Sequence, residues 1–163
     1  MDAQDVTIIR TLQKSGRVSY AEIGHRIGLS TPAVTERIRK LEQQGFISGY
    51  AALVNAYKLG KSLTAFISVE IRDPDVYEGF EGAIVSLEEV LECHHVVGEF
   101  DYLLKVKTRD TSSLEDLISR RIRTIEGVGR TRTTVVLSSI KESPQIDLGS
   151  VVTTTRSRKS GQT

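Results

Sequence analysis

Cysteine, tryptophan and long apolar runs are scarce in this sequence of 163 residues. The one cysteine, Cys93, excludes an internal disulfide and is typical of a protein from a reducing compartment. No run approaches the ~20 apolar residues that a membrane-spanning helix needs. Residues 1–5 show neither the basic nor the apolar stretch of a secretory signal. The sequence therefore predicts a cytoplasmic protein without a membrane partner.

The sequence also has no large excess of charge of one sign, because its net charge is only +1. The charged residues are, however, unevenly distributed along the chain. Residues 1–50 hold seven Lys/Arg against five Asp/Glu, residues 61–142 eleven against fifteen, and residues 143–163 three against one. Cationic ends favour a nucleic-acid partner, since phosphate contacts need cations. An ordinary solvated surface is the alternative interpretation.

The first fifty residues carry three short helical patterns. Residues 5–14 form the first, which Asp5 can cap, and residues 20–27 the second, with Ser19 and Glu22 as a capping box. The third starts with Thr31 as its N-cap and Pro32 at its first position, and ends at Gly45. Three such helices around a tight turn predict a helix-turn-helix, with residues 46–55 as a strand behind it.

The remainder predicts an α+β domain. Strict alternation marks a strand at 63–71, and apolar residues at helical spacing mark a helix at 76–88. Strands at 90–97 and 101–108 form a hairpin, a helix capped by Ser112 and Glu115 ends at Gly127, and a last strand covers 129–141. This β-α-β-β-α-β order is ferredoxin-like. The predicted domains are a (winged) helix-turn-helix domain at 1–50, a strand and linker at 51–62, a β-α-β-β-α-β domain at 63–142, and a flexible basic tail at 143–163.

The third helix has a polar face suited to DNA. Val34, Ile38 and Leu41 share one sector of the helical wheel, so they are expected in the core. Base edges are read by hydroxyl, carboxylate, guanidinium and amide groups on the opposite face. The candidates for DNA contact are Ser30, Thr31, Pro32, Thr35, Glu36, Arg39 and Lys40. Arg37 lies beside the apolar sector, so an ion pair within the domain is expected for it. A solvated polar face without any DNA remains the alternative.

Several segments resemble the Lrp/AsnC (feast/famine) transcription regulators. The resemblance covers residues 2–142, and the segments that carry it are GRVS at 16–19, VTERIRKLE at 34–42, QGFISGY at 44–50, ECHHVVGEFDYLLK at 92–105 and TRTTVV at 131–136. It implies a sequence-specific regulator of double-stranded DNA, associated with the nucleoid. It also implies homodimers that assemble further, to an octamer, and that respond to an amino acid or a related metabolite.

The resemblance implies no cofactor, metal ligand or catalytic residue, but it does imply an effector site. Its members are His95, Gly98, Glu99, Phe100, Asp101, Thr133, Thr134 and Val135. Family members often carry larger or apolar residues where Thr134 and His95 stand, which makes this pocket more polar and puts leucine in doubt. A carboxylate near the glycine turn would suit an ammonium group. The alternative is structural: Asp101 caps the hairpin and His95 pairs across the sheet.

Two other functions compete with regulation. A related tetrapyrrole decarboxylase would use His94 and His95 as acid and base, but neighbouring residues of a strand point to opposite faces. An architectural protein that compacts DNA would need a strongly basic surface, which a pI of about 7.9 does not favour.

Overall fold

The chain folds into two compact units. The computed structural model describes residues 1–149. One unit contains residues 1–53 together with residues 142–149, and the other contains residues 54–141. The chain therefore passes from the first unit to the second and back again. The α+β class predicted from the sequence is confirmed.

The first unit is built from three helices, α1 (Ala3–Lys14), α2 (Tyr20–Ile27) and α3 (Thr31–Gln43). Two of the predicted caps are wrong by one or three residues. Asp2 caps α1: its side chain accepts from the Asp5 N–H, and the Asp5 side chain accepts from the Asp2 N–H, which completes a capping box. Ser30, not Thr31, caps α3. Ser19 caps α2 as predicted, accepting from the Glu22 N–H at 3.1 Å, but the Glu22 carboxylate pairs with Arg26 at 2.6 Å and does not complete the predicted capping box.

The turn between α2 and α3 depends on two glycines. Gly28 adopts a left-handed φ of 70°, which ends α2 without the steric cost that another residue would have. A Cβ on Gly24 would collide with the carbonyl oxygen of Leu29 and touch Val34 of α3. The two helices therefore approach closely, and a core forms from Ile8, Ile9, Ile23, Val34, Ile38 and Leu41.

Residues 46–55 form no strand, so the predicted strand and the wing it would have supplied are wrong for this chain. Phe46 and Ile47 donate their N–H groups to the carbonyl of Leu41, which closes α3. A strand needs a neighbour to pair its remaining backbone groups, and within residues 1–149 no strand runs beside this segment. Phe46, Tyr50, Leu53 and Val54 are left more than half exposed.

The second unit is an antiparallel sheet with strands in the order β2-β3-β1-β4. Its strands are β1 (Leu63–Ile71), β2 (Val90–His95), β3 (Tyr102–Thr108) and β4 (Val128–Val135). The alternation in β1 buries Ala65, Ile67 and Val69 completely beneath the helices. Residues 136–141, predicted as strand, lie beyond β4.

Two helices cover one face of this sheet, and both begin differently from the prediction. A 3-10 turn at Pro74–Val76 precedes α4 (Tyr77–Val85). Asp110, not Ser112, caps α5 (Thr111–Asp116), with Ser113 completing the capping box. The helix then continues with π-helical spacing over Leu117–Ile122. The β-α-β-β-α-β order is nevertheless confirmed.

Part of the predicted flexible tail is docked on the first unit. The Gln13 side-chain amide donates to the Ile146 carbonyl at 3.1 Å and accepts from the Ile146 N–H at 2.7 Å. Leu148 packs against the core of the same unit. These contacts give residues 143–149 a defined place on the first unit, and the basic part of the predicted tail, with Arg156, Arg158 and Lys159, lies outside the described residues.

Candidate DNA and effector sites

The exposed face of α3 gathers all seven residues predicted to contact DNA. Each of them is exposed, while Val34, Ile38 and Leu41 on the other side are 2 % exposed or less. The capping of α3 by Ser30 fixes where the helix begins, and hence which side chains lie at its N-terminal end. The face is therefore polar and unobstructed within this unit.

Glu36 and Arg39 form a two-pronged ion pair on this face. The Arg39 guanidinium donates to the two carboxylate oxygens at 2.9 and 2.7 Å, and Lys40 Nζ lies 3.6 Å from Oε1. The hydrogen bond from Arg39 lowers the pKa of Glu36 to about 2, against a smaller opposing effect of desolvation. Glu36 is therefore ionised at every physiological pH, and Arg39 is held in a defined position along the helix.

Arg37 ties α3 to the start of α1, as the sequence predicted. Its guanidinium donates to Asp2 and Asp5 at 2.7 Å each and to the Gln4 side chain at 2.9 Å. The carboxylates raise the pKa of Arg37. This side chain therefore holds α3 against the start of α1, and its guanidinium is paired within the unit.

In the second unit, the turn between β2 and β3 is fixed by Asp101. Its Oδ2 accepts the Ile71 N–H at 2.7 Å, and its Oδ1 accepts the Tyr77 hydroxyl at 3.2 Å. The Asp101 N–H donates to the Val69 carbonyl at 3.0 Å. Both carboxylate oxygens are thus engaged in joining the end of β1, the start of α4 and the turn.

His95 lies in an aromatic group at the end of β2. Its ring stacks on Tyr102 at 4.8 Å and meets Tyr77 edge-on at 5.4 Å. The Tyr102 hydroxyl donates to Glu81 at 2.7 Å, and burial, followed by this carboxylate, raises the pKa of Tyr102. His95 and Tyr102 are register partners, so the predicted pairing of this histidine across the sheet does occur.

Glu99 and Phe100 lie beside two arginines of β4. Glu99 Oε1 accepts from Arg130 at 3.0 Å and Oε2 from Arg132 at 3.3 Å. Both guanidinium carbons lie over the Phe100 ring, 4.9 and 4.7 Å from its centroid. Gly98 precedes this pair with a φ of 158°, a backbone conformation that residues with side chains rarely adopt. The Glu99 side chain is about half exposed, so a ligand can reach its carboxylate.

The predicted effector residues do not all meet within one chain. His95 is on β2 and Thr133, Thr134 and Val135 are on β4, the two outer strands of the sheet. Three strand spacings separate them, about 14 Å. Thr134 pairs with Phe66 on the face without helices, whereas His95 shares the helix-covered face with Tyr102. Only Glu99 and Phe100 approach β4, through Arg130 and Arg132.

Sequence reasoning missed four residues that shape this region, namely Tyr77, Glu81, Arg130 and Arg132. The two arginines had a signal, because they alternate with Thr131 and Thr133 on a strand and so share a face. Tyr77 and Glu81 had none, since their partners are over twenty residues away in the chain.

The described part of the chain offers neither a metal cluster nor a membrane-spanning helix. Among residues 1–149, no group of three or more His, Cys, Asp or Glu side chains is placed to hold a metal ion. None of the helices in that range is long and apolar enough to cross a membrane.

Comparison with known proteins places both units. The model of the AsnC-type helix-turn-helix domain matches residues 1–42, and that of the Lrp/AsnC ligand binding domain matches residues 64–146. The leucine-responsive regulatory protein of Escherichia coli K12 is 43% identical over 148 residues, which are 90% of each chain. The protein of the same name from Salmonella typhimurium is equally similar.

Solved structures agree with these sequence matches. A transcriptional regulator from Neisseria meningitidis in complex with L-Met has a TM-score of 0.89 at 31% identity, covering 93% of this chain and 99% of its own. The feast or famine regulatory protein from M. tuberculosis, complexed with L-methionine, gives 0.82 at 36% identity over 89% and 97%. E. coli AsnC gives 0.82 at 27% identity over 87% and 95%.

Proposed function

Because this chain belongs to the Lrp/AsnC family of DNA-binding, ligand-responsive transcription regulators, we propose that α3 reads its operator and that an L-amino acid bound to the second unit alters that binding. The observation that carries the first part is the two-sided character of α3. Seven exposed side chains lie opposite three buried ones, and a recognition helix presents such a face to the major groove.

Arg39 is the proposed base-reading residue. A guanidinium pairs in two-pronged fashion with the O6 and N7 atoms of guanine, the same geometry that it adopts here with the Glu36 carboxylate. In the free protein the Glu36 carboxylate therefore accepts the two hydrogen bonds that a guanine would accept on DNA, and it keeps Arg39 extended along the helix. On DNA the guanidinium exchanges one partner for the other, and Ser30, Thr31, Pro32, Thr35 and Lys40 complete the contact through hydroxyl, apolar and ammonium groups.

The proposed effector is a free amino acid, and Glu99 is the proposed ligand of its ammonium group. Two relatives of known structure hold L-methionine, and several relatives are named leucine-responsive. Arg130 and Arg132 lie within 3.3 Å of the Glu99 carboxylate, so opposite charges for both ends of a zwitterion stand side by side. His95, Gly98, Phe100 and Asp101, with the β4 residues Thr133, Thr134 and Val135, are proposed to enclose it.

The site is proposed to be shared between copies of the chain, since one copy cannot bring β2 and β4 together. We propose homodimers that assemble further, to an octamer. Apolar side chains in the second unit support this, with Tyr57, Leu59, Val85, Leu137 and Ile140 each at least 64% exposed. With DNA as its partner, the protein is proposed to act in the cytoplasm on the nucleoid.

We propose no cofactor and no catalytic step. The relatives compared above are named as regulators. The Glu81–Tyr102 and Asp101–Tyr77 hydrogen bonds join elements of the fold to one another.

The test is a fluorescence-anisotropy titration of an operator selected by the purified protein from a random duplex library, against scrambled DNA at the same salt. We expect Arg39→Ala to weaken operator binding by about 1–3 kcal/mol and scrambled DNA far less. Titrations with and without L-methionine or L-leucine, after a thermal-shift screen of the amino acids, measure the response. Equal losses on both duplexes would reduce Arg39 to a phosphate contact, and an operator affinity that no amino acid alters would contradict the sensing role.

A further inference from the structure

A cationic stripe on α1 and the turn after it has no part in the function proposed so far. Residues 6–21 contain Arg10, Lys14 and Arg17 and no acidic residue. All three side chains are exposed, and none of them has an ion-pair partner within residues 1–149. Arg10 and Lys14 are also four residues apart on one helix, an arrangement in which like charges destabilise the helix. An external anion would relieve this repulsion.

These three cations line a cleft of about 440 Å³ between α1 and α2. Its lining is polar apart from Val18, and consists of Thr7, Arg10, Thr11, Lys14, Ser15, Arg17, Val18, Glu22 and Arg26. The one carboxylate, Glu22, is already paired with Arg26 at 2.6 Å. The cleft therefore offers three uncompensated positive charges beside hydroxyl groups, which suits a phosphate-bearing ligand better than an aliphatic amino acid.

The cleft lies on the side of the helices away from α3. On α2, Gly24 faces α3, because a Cβ there would touch Val34. Glu22 and Arg26 are two residues before and after it, and so about 160–200° around the helix. On α1, Asp5 faces α3 through Arg37, while Arg10 and Lys14 are about 140–180° away. When α3 occupies a major groove, the cleft consequently faces away from that groove.

We propose that this α1–α2 cleft binds the sugar–phosphate backbone of a second DNA segment, separate from the one that α3 reads. Arg10 and Lys14 have Cβ atoms about 5–6 Å apart, and Arg17 extends the row, so the cations can follow successive phosphates of one strand. A chain with DNA-binding surfaces on two sides holds two stretches of duplex, which is the geometry needed to wrap or bridge DNA. The inference rests on the proposed function only in taking DNA as the partner.

The test compares two scrambled duplexes, one about the length that a single dimer covers and one several times longer, so that no operator is needed. The triple variant Arg10→Gln, Lys14→Gln, Arg17→Gln keeps most of each side chain and removes its charge. The matched control is Lys58→Gln, Lys61→Gln, Arg123→Gln, which removes three exposed charges from the other unit. Affinities of both variants and of the parent are measured from 50 to 200 mM salt.

We expect the cleft variant to lose affinity only for the long duplex, with a salt slope there that is lower by about 2–3, since each phosphate contact contributes roughly 0.9. The control is expected to behave as the parent. Equal losses on both duplexes, or no loss on either, would overturn the proposal. A thermal shift with inorganic pyrophosphate that the cleft variant lacks, with unchanged binding of long DNA, would assign the cleft to a small anion instead. Operator preference in the Arg39→Ala variant is scored separately, so failure of α3 recognition leaves this result readable.

Discussion

Replacing Asp101 distinguishes a residue that binds the effector from one that builds its site. Asp101→Ala removes both acceptors, for the Ile71 N–H at 2.7 Å and for the Tyr77 hydroxyl at 3.2 Å. Ile71 is 7% exposed, so its N–H would be left with little access to water. A hydrogen bond to a charged acceptor contributes about 1.5–3 kcal/mol and the longer one about 0.5–1.5 kcal/mol. We expect the second unit to lose about 2–4 kcal/mol of stability.

Calorimetry and hydrogen exchange measure this effect. The chain has no tryptophan, and its two units need not unfold together, so the transition of the second unit is followed by itself. A domain of this size loses about 4–8 °C in Tm per kcal/mol, which predicts a fall of at least about 8 °C. The Ile71 amide is expected to exchange faster with solvent in Asp101→Ala. An unchanged Tm together with an unchanged Ile71 amide would refute the structural reasoning.

Asp101→Asn is the matched variant, because it removes the charge and keeps an acceptor for Ile71. We expect it to retain most of the stability and the effector response, since Glu99 is the proposed partner of the ammonium group. If Asp101→Asn is folded and binds operator but no longer binds the amino acid, then Asp101 contacts the effector directly and our assignment of Glu99 is wrong.

Three further changes test other contacts. Asp2 has a pKa lowered by the Asp5 N–H and by Arg37, so its ionised form stabilises the fold above about pH 4, and this stability is lost as the pH falls lower. Arg37→Gln should reduce that acid loss in urea unfolding followed by circular dichroism without removing it, because the Asp5 N–H remains, and an unaltered pH profile would exclude the ion pair as a contributor. Gly24→Ala should unfold the first unit and abolish DNA binding, whereas Gly16→Ala, where a Cβ meets open space, should do neither. Equal thermal stability of the two variants would contradict the close approach of α2 to Leu29 and α3. The fragment 54–141 should still self-associate, and a monomer at tens of micromolar in sedimentation equilibrium, a rough range for weak interfaces, would argue against its exposed apolar surface as an interface.

Elements whose signal is local were predicted well from the sequence. β1 was predicted at its observed bounds, because nine residues alternate strictly and one face is fully buried. Helix starts were less certain, since α1 and α3 each offer two capping residues in near succession. Asp2 is the N-cap of α1 and Asp5 is the third helical residue, whose side chain bonds back to the Asp2 N–H. Arg37 stabilises this arrangement by donating to Asp5, although it lies 32 residues away in the chain. No local rule contains that contact.

The segment after α3 shows a second kind of limit. Residues 46–55 have the β-branched and aromatic composition of a strand, but a strand forms only where another backbone pairs with it. The same holds for 143–149, whose Ser/Thr-rich surroundings favour flexibility although Gln13 pairs with both backbone groups of Ile146. The composition of a segment shows which conformations are open to it, and the backbone or side chain that pairs with it determines which one it adopts.

The proposed effector site combines both limits, because its members come from two separate segments of the sequence and its geometry depends on strand order. Glu99, Phe100 and Asp101 are neighbours in one turn, and yet Asp101 turns toward β1 and α4 while Glu99 turns toward Arg130 and Arg132. The order β2-β3-β1-β4 then puts His95 and Thr134 on opposite edges and opposite faces. A ligand that touches both must therefore be held by two copies of the chain. If the site is shared as we propose, its binding free energy includes the free energy of bringing those copies together, so effector and assembly state are thermodynamically linked and each alters the other by the same factor.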